Sequence, residues 1–124
     1  MKAYQVKKYG KTEILQRTEW SEPTLDEHQV MVQIYAAGVN LLDSLIRNGE
    51  FKLFLPYKPP FINGHDMAGV VTKVGASVSN FKIGDEVYAR VSDFKIGTFA
   101  EYISVDQEDL DKKKKNLTME EAAS

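Results

Sequence analysis

The chain of 124 residues contains no cysteine, so neither a disulfide nor a thiolate metal site can form within it. It has no excess of basic charge, because 16 Lys and Arg stand against 18 Asp and Glu for a formal net charge of −2. Without a basic footprint, nucleic acid is a poor candidate partner. No apolar run reaches the ~18 residues of a membrane span, and Met1-Lys2-Ala3-Tyr4-Gln5-Val6 lacks a signal-peptide core. The expectation is a cytoplasmic protein with no membrane partner. Proline is scarce, and three of its four residues are Pro56, Pro59 and Pro60. The segment from Lys52 to Pro60 therefore reads as a stiffened loop leading into Phe61-Ile62-Asn63-Gly64. The composition of the whole chain, 43% apolar and 27% charged, suits one soluble globular domain with a modest core.

What is present is mostly strand pattern. Ala3 to Lys7 and Ile14 to Trp20 are short extended runs separated by the turn signal Tyr9-Gly10-Lys11. Gln29 to Ala36 alternates Val30, Val32 and Ile34 with Met31, Gln33 and Tyr35. Both faces carry bulk, which predicts an interior strand. Met67 to Val74, Glu86 to Val91 and Phe99 to Val105 continue the pattern. One short helix is expected where Asn40 caps Leu41, Leu42, Leu45 and Ile46 and Gly49 ends the run. Near the end, Thr118-Met119-Glu120-Glu121 fits a capping box followed by the helix formers Ala122 and Ala123. One turn of helix is not stable alone, so the expectation is that the chain is a piece of a longer protein. Lys112 to Lys115 reads as a solvated linker.

Candidates for chemistry are few. Gly64-His65-Asp66 sets a His-Asp pair at the mouth of an apolar run, Met67-Ala68-Gly69-Val70-Val71. An imidazole is a side chain that can donate a proton, which makes His65 a candidate, although lone histidines are more often structural. Asp66 reads as a turn or ion-pair acceptor, with orientation of His65 as its functional alternative. Phe51, Phe54, Tyr57 and Phe61 could line an apolar mouth, or simply close the proline loop down.

Six ordered blocks carry a resemblance: Ala36-Ala37-Gly38-Val39-Asn40-Leu41-Leu42-Asp43, the proline-rich loop, Gly64-His65-Asp66-Met67-Ala68-Gly69-Val70-Val71, the pair Val74-Gly75, Phe81-Lys82-Ile83-Gly84-Asp85-Glu86-Val87, and Gly97-Thr98-Phe99-Ala100-Glu101-Tyr102. In this order and spacing the chain resembles medium-chain dehydrogenases/reductases, closest to their zinc-independent quinone oxidoreductase-like branch. The resemblance implies a mainly β, GroES-like, partly open barrel with one or two short helices over residues 1–111. It also implies that residues 112–124 lead towards a Rossmann domain. No Gly-x-Gly-x-x-Gly fingerprint for such a domain occurs in the chain.

Zinc-containing relatives place a cysteine ligand where Asn40 stands, a histidine ligand at His65, and a further cysteine that would lie beyond residue 124. An amide is a poor replacement for a thiolate on zinc. Those relatives also carry a proton-relay hydroxyl where Leu42 stands, and a four-cysteine zinc loop that would fall between Tyr88 and Gly97. Three losses agree, and no metal is expected. The resemblance assigns Asn40 to the nicotinamide of NADPH and Asp43 and Asp66 to structural polar roles. His65 is the catalytic candidate, and Leu45, Phe51 and Phe54 the substrate pocket. Leu45 stands where many quinone reductases have tyrosine. The implied activity is hydride transfer from NADPH to a quinone or an α,β-unsaturated carbonyl. The isolated chain is expected to be inactive and the longer protein a homodimer acting on a small-molecule acceptor. A zinc-dependent alcohol dehydrogenase and a stand-alone barrel serving as an interaction module are the alternatives.

Overall fold

The computed structural model describes residues 1–10, 16–39, 43, 46, 47, 61–91 and 96–123. Eight strands follow in chain order: β1 Lys2–Val6, β2 Gln16–Glu19, β3 Gln29–Gly38, β4 Phe61–Ile62, β5 Asp66–Val74, β6 Glu86–Arg90, β7 Tyr102–Asp106 and β8 Leu110–Lys112. A 3-10 turn, Gln107–Asp109, joins the last two, and a helical turn spans Met119–Ala123. The strands form two antiparallel sheets, β2-β1-β4 and β7-β3-β5-β6-β8. A bridge from Ala3 to Ala100 ties one to the other. The expected mainly β, partly open architecture is thus present as two sheets that do not close.

Burial explains the order of strands. β3 and β5 lie inside the larger sheet, and the core gathers on them through Val30, Val32, Met67 and Val71, with Val87, Ile103 and Val105 from their neighbours. The β-branched side chains among them suit a pleated surface covered on its inner face. Two register shifts in the β3–β5 pair, between Met31 and Val32 and between Ile34 and Ala36, bend the strands in the manner of β-bulges. A second small cluster joins Val6, Ile46 and Phe61, with the ring of Tyr9 6.1 Å from that of Phe61. Phe61 is therefore a core residue of β4 rather than part of an apolar mouth. β4 and β8 escape periodicity because two or three residues are too few to show alternation.

Of the solvated run expected at Lys112 to Lys115, Lys112, Lys114 and Lys115 are exposed, and Lys113 departs from it. Lys112 pairs with Val87 in β8. The Lys113 side chain is 5% exposed, and its ammonium lies 3.0 Å from the Glu86 carboxylate and donates to the Leu117 carbonyl at 2.6 Å. The expected capping box closes beyond it. Thr118 N–H donates to Glu121 Oε1 at 3.0 Å, and Glu121 N–H to Thr118 Oγ1 at 3.1 Å. The helical turn then rests on β3 and β5.

Candidate functional site

The mouth of β5 carries the polar cluster. Gly38, the last residue of β3, pairs with Asp66, the first of β5, so the two strands end side by side. His65 precedes β5 and is wholly buried, and Asn63 and Asp43 are 1% and 2% exposed. The carboxylate that meets His65 is that of Asp43, which receives the Nδ1–H of the imidazole. Asp43, 22 residues upstream, belongs to a stretch in which Asp43, Ile46 and Arg47 have helical backbone. The adjacent Asp66 instead stands opposite Gly38 on one side and Arg90 on the other. Adjacency in sequence misleads here because Asp66 already belongs to the β5 ladder, whereas His65 sits in the bend before it.

Asn63 fastens the cluster and is not among the residues that sequence reasoning selected. Its amide donates to the Asp43 carbonyl at 2.8 Å, and its carbonyl oxygen accepts from Gly64 N–H at 2.8 Å. The Asn-Gly dipeptide is a turn signal and is the one hint the sequence offers. Gly64 is required: its φ is +108°, and a Cβ there would fall 2.2 Å from Thr98 Oγ1 and 2.8 Å from the Phe99 ring. The 96–99 segment closes over this turn through Phe99 N–H to the Asn63 carbonyl at 3.0 Å and Gly97 N–H to the Gly64 carbonyl at 3.0 Å. Val91 N–H donates to the His65 carbonyl at 2.8 Å, which satisfies the backbone of the histidine itself.

A buried imidazole and carboxylate, hydrogen-bonded to each other and braced by an amide, form a pair whose ring orientation is fixed. Among the described residues no group of three or more His, Cys, Asp or Glu is placed to hold a metal ion. Asn40, Leu45, Phe51 and Phe54 lie outside the described residues. The structure thus brings together His65 and Asp43 of the expected set, adds Asn63, and separates Asp66 from the imidazole contact.

Residues 26–115 match the family model of the alcohol dehydrogenase GroES-like domain. The chain is 38% identical to the chloroplastic NADPH-dependent alkenal/one oxidoreductase of Arabidopsis thaliana, over 99% of this chain and 33% of that protein. It is 39% identical to the quinone oxidoreductase of Homo sapiens over 82% of the chain and 30% of that protein. The fold superposes on Escherichia coli quinone oxidoreductase complexed with NADPH with a TM-score of 0.87 at 27% identity, covering 99% of this chain and 36% of that one. The chain spans about a third of the length of the relatives it matches.

Proposed function

The chain belongs to the alcohol dehydrogenase GroES-like domain family of the medium-chain dehydrogenases/reductases, and from that membership we propose that it forms the catalytic-domain part of a longer, zinc-independent oxidoreductase. The reaction is NADPH-dependent reduction of quinones or α,β-unsaturated carbonyls. The observation that carries this reading is the donor set. The 124 residues contain no thiolate, and an amide, Asn40, stands where zinc relatives keep a cysteine. Relatives named as NADPH-dependent alkenal and quinone oxidoreductases support the same class.

The residues suit the nicotinamide end of a dinucleotide rather than its phosphate end. β3 and β5 end together beside the His65–Asp43 pair, with Val39 76% exposed just past β3. Asn40 is next in the chain and supplies both a donor and an acceptor for a carboxamide. No Gly-x-Gly-x-x-Gly turn is present for a pyrophosphate. When bound, NADPH supplies the hydride. In this reading Asn40 orients the ring, and His65, held by Asp43, forms part of the cleft wall. Leu45, Phe51 and Phe54 exclude water. The acceptor oxygen takes its proton from solvent, which fits a site with so few acid–base groups.

Steady-state NADPH oxidation by the longer protein, with a quinone and with an enone, tests the proposal. Turnover unaffected by a metal chelator is the expected result. Activity lost with a stoichiometric zinc would favour the zinc-dependent alcohol dehydrogenase, and no turnover at all the interaction module. We place the longer protein in the cytoplasm as a homodimer, which fractionation and sedimentation check. Among the described residues no helix is long and apolar enough to cross a membrane.

A further inference from the structure

A groove of about 570 Å³ lies between β1, β2 and β3, within the ~300–1,000 Å³ range of small-molecule sites. Its floor is the 98–101 segment, which is bonded to strands on both sides. Tyr4 N–H donates to the Phe99 carbonyl at 2.8 Å and Glu101 N–H to the Lys2 carbonyl at 3.1 Å. Opposite, Ile34 N–H donates to the Glu101 carbonyl at 2.7 Å. Tyr4 is paired in register with Arg17 across β1 and β2, so phenol and guanidinium share one face. Tyr35 rises from β3 on the other wall. Both rings are open to solvent, 48% and 59% exposed for Tyr4 and Tyr35. His65, Asp43 and Asn63 do not line this groove.

The charges at the rim favour an anion. Lys2 and Arg17 both line the groove, and neither side chain has an ion-pair partner among the described residues. One carboxylate, that of Glu101, also lines it and accepts a hydrogen bond from the backbone N–H of Lys2. Glu19, opposite Lys2 in register, lies 3.7 Å from the N-terminal ammonium, so the two cations still outnumber the one remaining carboxylate around two exposed aromatic rings. A guanidinium fork matches a carboxylate geometrically, and flat rings stack on tyrosine faces. A second copy docked about a two-fold axis would bring two faces of the same cationic excess together, so self-association suits the face less well.

We propose that this groove binds a planar aromatic anion of the arene-carboxylate class, its ring between Tyr4 and Tyr35 and its carboxylate on Arg17 and Lys2. Amide chemical-shift titration of the 124-residue chain with 2-naphthoate, and with the neutral 2-naphthalenemethanol, tests it. Saturable shifts confined to β1, β2, β3 and residues 98–101 are expected, with naphthoate bound about tenfold more tightly than the alcohol. Arg17→Gln weakens naphthoate binding about fivefold and leaves the alcohol unchanged, since an exposed charged contact has that order of worth. Glu101→Gln strengthens naphthoate binding by removing the opposing charge. Equal affinity for the two probes, shifts centred elsewhere, or indifference to Arg17→Gln would overturn the assignment. So would probe-free, concentration-dependent shifts of the same amides, which would assign the face to a second copy.

Discussion

Thr98 is fully buried, and its hydroxyl makes no hydrogen bond among the described residues. A buried polar atom left in this state costs about 1–3 kcal/mol of desolvation. Thr98→Val, nearly the same shape without the hydroxyl, is therefore expected to raise stability by about 1 kcal/mol in urea unfolding. A loss would mean that the hydroxyl is engaged in solution. Asp43 presents the opposite case, because its carboxylate is used. Asp43→Asn removes the charge that receives the His65 Nδ1–H, and a loss of about 1–3 kcal/mol is expected. The imidazole ¹⁵N shifts of His65 should move with it, and unchanged shifts would deny the pair. The sequence marks His65 well, because a histidine between Gly64 and a strand-forming run that starts at Asp66 is conspicuous. It does not mark Asp43 as the partner, since a contact 22 residues apart depends on how a helical stretch meets a strand mouth.

At the scale of elements, the capping box at Thr118 is the feature most legible in the sequence and the one most open to titration. Glu121 is held below the usual carboxylate range by the hydrogen bond from the Thr118 backbone, then by that of the Thr118 hydroxyl, with Lys113 nearby adding a positive field. A lowered folded value means that the carboxylate contributes its stability fully above the ordinary value of 4.5. That contribution is lost as pH falls through the lower folded value. Acidification should accordingly expose the Thr118 and Glu121 amides to hydrogen exchange, while Glu121→Gln keeps the cap bond and flattens the pH dependence. An identical acid response in both proteins would contradict this. The same turn approaches β3 so closely that a Cβ at Gly38 would lie 2.3 Å from the Ala123 carbonyl oxygen. Gly38→Ala should abolish nuclear Overhauser contacts between Ala123 and β3 while leaving the β3–β5 pairing intact. The long strands were readable from alternation and β-branching. β4, β8 and the burial of Lys113 were not, because each is set by its neighbours: β4 by β1, β8 by β6, and Lys113 by Glu86 and Leu117.

At the scale of the whole molecule, two antiparallel sheets carry a fixed His–Asp pair at one strand mouth and an aromatic, cationic groove on the β1–β3 face. Neither feature supplies a redox group, and the chain covers only about a third of the relatives whose names state NADPH dependence or quinone reduction. The 124-residue chain by itself is therefore expected to bind NADPH only weakly, and micromolar affinity in a fluorescence titration would contradict that division of labour. The most direct test of the proposed function follows deuterium from NADPH carrying two deuteriums at C4 in the metal-stripped longer protein, with an enone as acceptor. One deuterium on the carbon β to the carbonyl, at a rate unchanged by added zinc, is the expected result. A product without label, or label that appears only after zinc is restored, would contradict it.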